Sequence, residues 1–283
     1  MKVLIAGSNG YVGQHVTELF LETDHDVYTF QRNSINGMVN EGSVTSHCVH
    51  LHGSFDIVIN CARPHWSEYS PEDICRLEQA LMADLNLFAS EDAIKVHTSG
   101  VWLFGHASDE QLATFSFNPL GSVQLDVESV EQALANRWHV VYCPSIIYGG
   151  ENCQLKRILA ENNDSNIDVG SPSVGYNQYV HVVDVARFYL NLTQQPANQG
   201  RQYFIAEEIG YSPQAFAELL KENNVVEQVS TLTWSDYERK HSVSAVEIEK
   251  LHLKLPVSHA FSATHTIAHY VADLAPTNSQ PLS

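Results

Sequence analysis

The chain has 283 residues, enough for one large domain or two modest ones, and its 44% of apolar residues is typical of a soluble globular protein. Fifteen basic and thirty-three acidic residues give a formal net charge of −18. This charge argues against nucleic acid or an anionic membrane surface as a partner. A membrane helix needs about 18–20 consecutive apolar residues, and no stretch of the sequence is that long. The N-terminus also lacks the pattern of a signal peptide, so we expect a cytoplasmic protein.

The cysteines and histidines do not predict a metal site. The five cysteines include no close pair of the metal-binding or redox kind, which favours reduced thiols. His47, Cys48, His50 and His52 lie close together, but they have neither a carboxylate partner nor a recognised ligand spacing. We therefore expect no metal.

The opening of the chain predicts a strand, a turn and a helix that bind a dinucleotide. An apolar strand at 1–6 meets three glycines spaced by three, Gly7, Gly10 and Gly13, and a helical pattern continues to Leu21. In such a turn the first glycine allows the bend, the second lets a pyrophosphate approach, and the third lets the helix pack on the strand. The free N–H groups at the helix start favour an anion. An ordinary strand-to-helix turn is the alternative, but the flanking strand and helix favour dinucleotide binding.

The second predicted strand, 26–31, bears on the choice of cofactor. It ends at Gln31, where dinucleotide folds commonly carry an acid that binds the ribose 2′-hydroxyl, and Arg32 follows. An acid would repel a 2′-phosphate, whereas a guanidinium attracts it and can bind it bidentately. We therefore predict NADP(H) in preference to NAD(H). The alternative is a surface arginine at the end of a strand.

Strands continue to alternate with helices as far as residue 150, which predicts a doubly wound α/β fold with a parallel sheet covered on both faces. The further strands are expected near 44–49, 56–62, 93–99 and 138–143, and the further helices at about 70–90 and 119–136. We expect 1–150 to form a dinucleotide-binding domain, to which a helix at 182–195 returns.

The regular alternation fades after residue 150. We expect 151–181 and 196–274 to form a smaller substrate-binding lobe, followed by a flexible tail at 275–283. The elements expected in the later part are a strand at 201–206, an extended segment at 225–234, and helices at 213–223, 244–251 and 261–274.

Several segments resemble the extended short-chain dehydrogenase/reductases, the family of nucleotide-sugar epimerases and dehydratases. They are the glycine turn, Asn60-Cys61-Ala62, Thr98–Gly105, Pro144–Gly149 and Val180–Ala186. The resemblance covers nearly the whole chain and implies a Rossmann-type fold with a smaller C-terminal substrate lobe, a small-molecule substrate, and a possible homodimer through helices 70–90 and 119–136. It implies cofactor contacts at Gly7, Asn9, Gly10, Tyr11, Val12, Gly13, Gln31, Arg32, Asn60, Cys61, Ala62, Thr98, Pro144 and Ser145.

The family's Tyr-x-x-x-Lys pair, in which the tyrosine acts as acid and base, is missing. The alignment of the segments places the Tyr and Lys positions on Val123 and Val127. Residues 106–136 contain no tyrosine, and residues 96–155 contain no lysine. Valine cannot give or take a proton. The resemblance therefore implies that the cofactor scaffold is present without the usual acid and base.

Other side chains are candidates for a role in the pocket. The family's Ser/Thr position falls on Gly100, so we take Ser99, one place earlier, and His65, which follows the strand at 56–62, as the candidate catalytic residues. Further side chains expected near the nicotinamide end have equally good structural explanations: Arg63, Thr98, Asp126, Ser145, Tyr148, Tyr176, Tyr179 and His181.

Three functions remain open on this sequence. The first is an atypical NADP(H)-dependent reductase or epimerase-like enzyme with a relocated acid. The second is non-redox chemistry on the same fold, such as elimination, isomerisation or cyclisation. The third is a protein that binds or senses NADP(H) without turnover. Fold alone does not decide among them.

Overall fold

The computed structural model of the protein describes residues 1–31, 42–161, 166–194 and 201–274. Their strands are β1 (Lys2–Ala6), β2 (Asp26–Phe30), β3 (Ser43–Val44), β4 (Phe55–Asn60), β5 (Ala89–Gly100), β6 (His139–Cys143), β7 (Ile146–Tyr148), β8 (Asn166–Ser171), β9 (Tyr179–His181), β10 (Gln202–Phe204) and β11 (Gln228–Thr233).

The helices of the same residues are α1 (Tyr11–Leu21), α2 (Pro71–Phe88), α3 (Asp109–Ala113), α4 (Asp126–Ala135), α5 (Gln154–Glu161), α6 (Val182–Leu192), α7 (Pro213–Glu222), α8 (Trp234–His241), α9 (Val243–Glu249) and α10 (Ile267–Leu274). None of these helices combines the length and the apolar character needed to cross a membrane.

A seven-stranded sheet forms the centre of the molecule, in the order β10-β6-β5-β4-β1-β2-β3. Every strand pair in it is parallel. The order reverses direction between β1 and β4, and ligands of doubly wound sheets bind at such a switch point. The predicted fold class is therefore confirmed.

Helices cover both faces of the sheet because its strands are apolar on both sides. Val3 and Ile5 of β1 face the layer of α1 and α6, where they pack with Val16 and Tyr189. Leu4 and Ala6 face the layer of α2 and α4, where Met82 and Val130 lie. Side chains of a strand alternate between its two faces, so each strand contributes to two cores.

The later part of the chain builds two small parallel sheets, β11-β8 and β7-β9. A third core cluster lies among them and includes Tyr148, Tyr179, Leu220 and Ile267. β10 lies within the interval predicted for the smaller lobe, yet it pairs with β6 in the main sheet. The division of the chain into two lobes stays a prediction, and the predicted tail at 275–283 lies outside the described residues.

Several predicted boundaries differ from the structure because distant contacts set them. The helix expected at 119–136 starts only at Asp126, after a 3-10 turn at Gly121–Val123. Residues 118–120 instead exchange backbone hydrogen bonds with the loop after β5, including Leu120 N–H to Trp102 C=O at 2.9 Å. The last helix starts at Ile267 rather than 261, because the N–H groups of Thr264 and His265 bind the Asp184 carboxylate on α6.

The remaining boundary differences are smaller. β3 ends at Val44, because the next residue, Thr45, accepts a turn hydrogen bond from Cys48 N–H. β5 begins at Ala89 rather than at 93, directly after α2. The helix predicted at 182–195 starts at Val182 as predicted and ends at Leu192.

Candidate functional site

The glycine turn between β1 and α1 is closed on two sides and open on the third. Gly7 has a φ of +81°, and a Cβ there would lie 2.6 Å from the Ala62 nitrogen. A Cβ at Gly13 would lie 2.0 Å from the Gly7 carbonyl oxygen. A Cβ at Gly10 would meet only that oxygen, at 3.2 Å, with no other neighbouring atom within 4 Å. The fold itself therefore requires glycine at 7 and 13, whereas Gly10 borders open space.

The start of α1 presents free backbone donors to this space. Gly10 is the N-cap residue and provides no side-chain cap. The first helical hydrogen bond runs from Gln14 N–H to Gly10 C=O at 2.8 Å. Within the described ranges no residue accepts a hydrogen bond from the N–H groups of Tyr11, Val12 or Gly13. Such a helix end favours an anion through its N–H groups and its dipole.

Asn60, at the carboxyl end of β4, supports the turn from within. Its side chain is fully buried, and its oxygen accepts a hydrogen bond of 3.0 Å from Ala62 N–H. Its amide nitrogen lies 3.1 Å from His97 Nδ1. Burial lowers the pKa of His97 to about 4, so this imidazole is neutral at ordinary pH. Asn60 therefore shapes the Cys61–Ala62 turn that packs on Gly7.

The ends of β5 and β6 meet beside that turn. The Thr98 hydroxyl donates to Cys61 Sγ at 3.4 Å and lies 2.7 Å from the Tyr189 hydroxyl. Trp102 Nε1–H donates to Ser145 Oγ at 2.8 Å and joins the segments that follow the two strands. Pro144, which directly follows β6, is buried. The predicted contact residues at the ends of β4, β5 and β6 are thus brought to one edge of the sheet.

Two of the weaker sequence candidates form an ion pair at this edge. Arg63, which follows β4, donates from Nη2 to Asp126 Oδ2 at 2.5 Å and lies 3.8 Å from Glu78 Oε1. The side chains of Asp126 and Glu78 are 8% and 4% exposed, whereas that of Arg63 is 44% exposed. Burial raises the pKa of Asp126, and the Arg63 charge opposes this shift. The guanidinium thus lies close to both buried carboxyl groups, while part of the Arg63 side chain stays exposed to solvent.

The two candidate catalytic residues, Ser99 and His65, have different surroundings. Ser99 is half-buried and pairs in register with Tyr142, so it faces the layer of α2 and α4. His65 is exposed, stacks on Trp66 and binds Ser67 Oγ at 2.5 Å. Among the described residues, no hydrogen bond joins Ser99 to His65.

The two positions assigned to the missing Tyr/Lys pair, 123 and 127, both lie in apolar surroundings. Val123 lies on the 3-10 turn before α4, is 8% exposed and belongs to the core on the α2 and α4 face. Val127, on the first turn of α4, packs partly against the same core. Within the described ranges no group of three or more His, Cys, Asp or Glu side chains is arranged to hold a metal ion.

The candidates in the later part of the chain have structural roles. Tyr148 and Tyr179 are buried on neighbouring strands. His181 caps α6 by accepting a hydrogen bond from Val183 N–H at 3.2 Å, and Tyr176 accepts one from Gly210 N–H at 2.8 Å.

The amide of Gln31, just after β2, donates to Ser43 Oγ at 3.3 Å. Arg32 lies outside the described residues.

Three residues near the site were not among the sequence candidates. The hydroxyl of Tyr189, on α6, lies within hydrogen-bond distance of the Thr98 hydroxyl. Glu207 is buried and caps the start of α10. Arg157 on α5 lines a cleft beside the glycine turn. Only Arg157 has a sequence signal, because Lys156-Arg157 is the one adjacent basic pair between Lys95 and Arg187.

A known protein-family profile matches the part of the chain that contains this site. The profile of the NAD dependent epimerase/dehydratase family matches residues 3–142, from β1 to β6. This region therefore has the sequence pattern of that family. The matched part includes the glycine turn and the strand ends that surround it. No curated protein sequence matches the chain.

Solved structures share the fold over the whole chain. The human epimerase family protein SDR39U1 (isoform 2), solved with NADPH, has 15% identity and a TM-score of 0.74, with 97% of this chain and 99% of that chain covered. UDP-glucose 4-epimerase from Thermotoga maritima, solved with UDP-glucose, has 15% identity and a TM-score of 0.73, with 97% of each covered. RMD from Pseudomonas aeruginosa, complexed with NADPH, has 14% identity and a TM-score of 0.62, with 97% of each covered. At these identities the likeness shows the NAD(P)-binding fold of the family.

Proposed function

We propose that the protein binds NADP(H) and acts on a small molecule as an atypical reductase or related enzyme of the epimerase/dehydratase family. The glycine turn carries the proposal. Backbone packing explains Gly7 and Gly13, but Gly10 borders open space beside free N–H groups, which is the environment that a pyrophosphate needs. The human protein and the Pseudomonas aeruginosa RMD that share this fold were both solved with NADPH, which supports the same cofactor class here.

The residues present fit such a cofactor. The N–H groups at the start of α1 would hold its pyrophosphate, and the ends of β4, β5 and β6 would lie along its nicotinamide half. When bound, a nicotinamide dinucleotide supplies a hydride donor or acceptor. Gln31, in place of an acid, and Arg32 favour the 2′-phosphate of NADP(H).

The proton-transfer group differs from that of the family. Valines occupy the Tyr and Lys positions, so a reductase would need another proton donor, and the candidates are Ser99, on the α2 and α4 face, and His65. The Arg63 guanidinium keeps its proton at ordinary pH, so it would supply positive charge and hydrogen bonds rather than a proton. A second function, cofactor sensing without turnover, is favoured by the burial of Val123 in the core. An assay of substrate conversion separates the cases. Conversion with a change in cofactor absorbance indicates a reductase, conversion without it indicates non-redox chemistry, and tight binding without conversion indicates a sensor.

The cofactor proposal is tested with Gly10→Ala. Gly10 has extended backbone angles, φ −79° and ψ 161°, that alanine adopts without strain. We therefore expect the fold to be kept, with a small loss of stability because the Gly7 oxygen at 3.2 Å must shift slightly, which thermal unfolding measures. We expect a loss of NADPH affinity of about tenfold or more, because the methyl group enters the space that the pyrophosphate needs. Gly121→Ala is the control, since a Cβ there meets no atom within 4 Å. If Gly10→Ala binds NADPH as tightly as Gly121→Ala, the pyrophosphate does not lie at this turn.

The preference for NADP(H) has its own test. Arg32→Ala should weaken NADPH much more than NADH, because only NADPH carries the 2′-phosphate. Both affinities are measured by fluorescence titration at the same ionic strength. An equal loss for the two cofactors would remove the assignment of Arg32.

A further inference from the structure

A cleft of about 380 Å³ lies beside the glycine turn. One wall is the turn and the first part of α1, and the other is the segment from β7 to α5. Its lining residues are Asn9, Tyr11, Gln14, Ile147, Asn152, Gln154 and Arg157. The cleft thus borders the start of α1 through Asn9, Tyr11 and Gln14.

The second wall is fixed to the first by side-chain contacts. The Tyr11 hydroxyl donates to Gly149 C=O at 2.7 Å across the cleft. The Tyr270 hydroxyl of α10 lies 3.2 Å from Cys153 Sγ and holds the next part of the segment. A Cβ at Gly149 would lie 2.2 Å from His181 Nε2, so this backbone is packed closely. The start of α5 therefore has a defined place opposite the helix end.

Arg157 is the one charged residue among those that line the cleft. The rest are four amide side chains, one tyrosine and one isoleucine, and none is acidic. In the part of the chain that the structure describes, Arg157 has no ion-pair partner, whereas its neighbour Lys156 lies 4.0 Å from Glu151. A free guanidinium and amide donors around a helix N-terminus form an environment for an anion, in a protein whose net charge of −18 is unfavourable to anions elsewhere.

We propose that Arg157 binds the pyrophosphate of the dinucleotide from the α5 side of this cleft, opposite the N–H groups of α1. The inference rests on the proposed function and adds to it a binding residue outside the matched family region, which ends at residue 142. Guanidinium and phosphate form paired, charge-assisted hydrogen bonds, which are about twice as strong as neutral ones. Arg157 would hold the part that NADPH, NADH and ADP-ribose share.

The test compares Arg157→Gln with Lys156→Gln, which makes the same change of charge one residue away. Arg157 is exposed, so neither variant should alter the fold, and thermal unfolding checks this. We expect Arg157→Gln to weaken NADPH, NADH and ADP-ribose alike by about tenfold and to leave adenosine unchanged. Arg157→Lys should restore part of the loss, and 0.5 M salt should narrow the difference between wild type and Arg157→Gln.

Each other outcome contradicts a named step. If the wild type binds the dinucleotides and Arg157→Gln behaves like Lys156→Gln, the inference is wrong and the proposed function stands. A loss confined to NADPH would move Arg157 to the 2′-phosphate, and an equal loss for adenosine would show a general distortion; both overturn the pyrophosphate contact. If the wild type binds neither NADPH nor NADH, the proposed function fails and the inference fails with it.

Discussion

Glu207 gives the sharpest test of the electrostatics of this fold. The residue is 5% exposed, and both of its carboxylate oxygens lie 3.0 Å from the Ile267 nitrogen at the start of α10. Burial raises the pKa of this carboxyl from 4.5 to about 7, while the hydrogen bond from Ile267 N–H opposes the shift. The folded protein therefore resists the ionisation that the unfolded chain undergoes readily.

The sign and size of the effect follow from this difference. Below pH 4.5 both states are protonated. Between pH 4.5 and 7 the unfolded chain has lost the proton and the folded protein has kept it, so stability falls as the pH rises. One pKa unit corresponds to about 1.4 kcal/mol, and the two pKa values then give a loss of about 2.5 kcal/mol between pH 5 and 8. Glu207→Gln removes the charge and keeps an oxygen for Ile267 N–H. We expect the free energy of unfolding of the variant, relative to wild type, to rise by about 2–3 kcal/mol over this interval.

Urea unfolding followed by tryptophan fluorescence at pH 5, 6, 7 and 8 measures this change. The difference between variant and wild type removes the groups that titrate alike in both proteins. Glu208→Gln is the matched control, because its side chain is exposed next to Glu207. A difference for Glu207→Gln that stays constant with pH, or that decreases, would refute the reasoning.

Two further predictions concern the sheet edge. Gly13→Ala should lower stability by about 2–3 kcal/mol, since a Cβ there lies 2.0 Å from the Gly7 oxygen, and Gly121→Ala should not; equal thermal midpoints for the two would contradict this. Arg63→Leu should lower the stability by about 1–3 kcal/mol at pH 8, because it removes the cation that binds the buried Asp126 carboxylate, while the 44% exposure of Arg63 limits the strength of the pair. The cost should shrink as the pH falls from 8 to 5, because burial raises the pKa of Asp126 and so favours its uncharged form. Urea unfolding at the two pH values checks this, and an equal loss at both would count against the ion-pair network.

Elements whose signals are local could be predicted from the sequence. The apolar run of β1 and the glycine turn have their causes within a few residues, so α1 ends at Leu21 as predicted. The helix predicted at about 70–90 starts at Pro71, because Ser70 caps it through Asp73 N–H and proline suits its first position. The alternation of strands and helices then leaves few arrangements other than a doubly wound sheet.

Elements whose limits are set by partners far along the chain could not be predicted. Residues 119–125 fall within the helix predicted from spacing, but Leu120 N–H binds Trp102 C=O in the loop after β5. The segment before α10 is tied to Asp184, about eighty positions away. β10 joins the main sheet because β6 offers it an open edge, and spacing alone does not reveal such an edge.

The same distinction applies to the site. The cradle at Gly7, Gly10 and Gly13 is a local pattern, and the structure gives a steric reason for Gly7 and Gly13, whereas Gly10 borders open space. The pairing of Arg63 with Asp126 joins two residues that the sequence named only separately. Arg157 stands on α5, far along the chain from the turn that it faces, so its place depends on how the later segment packs.

The two faces of the sheet explain how binding and proton transfer could separate in this chain. The cradle belongs to β1 and α1, and its geometry depends on the contacts of Gly7 with Gly13 and Ala62. The positions assigned to the Tyr/Lys pair lie on the opposite layer. There Val123 belongs to a 3-10 turn rather than to the first turn of α4, so 123 and 127 are not stacked on one continuous helix. Apolar burial at Val123 stabilises this arrangement, and the backbone contacts that fix Gly7 and Gly13 do not involve Val123. A cofactor site can therefore persist while the neighbouring helix start is remodelled.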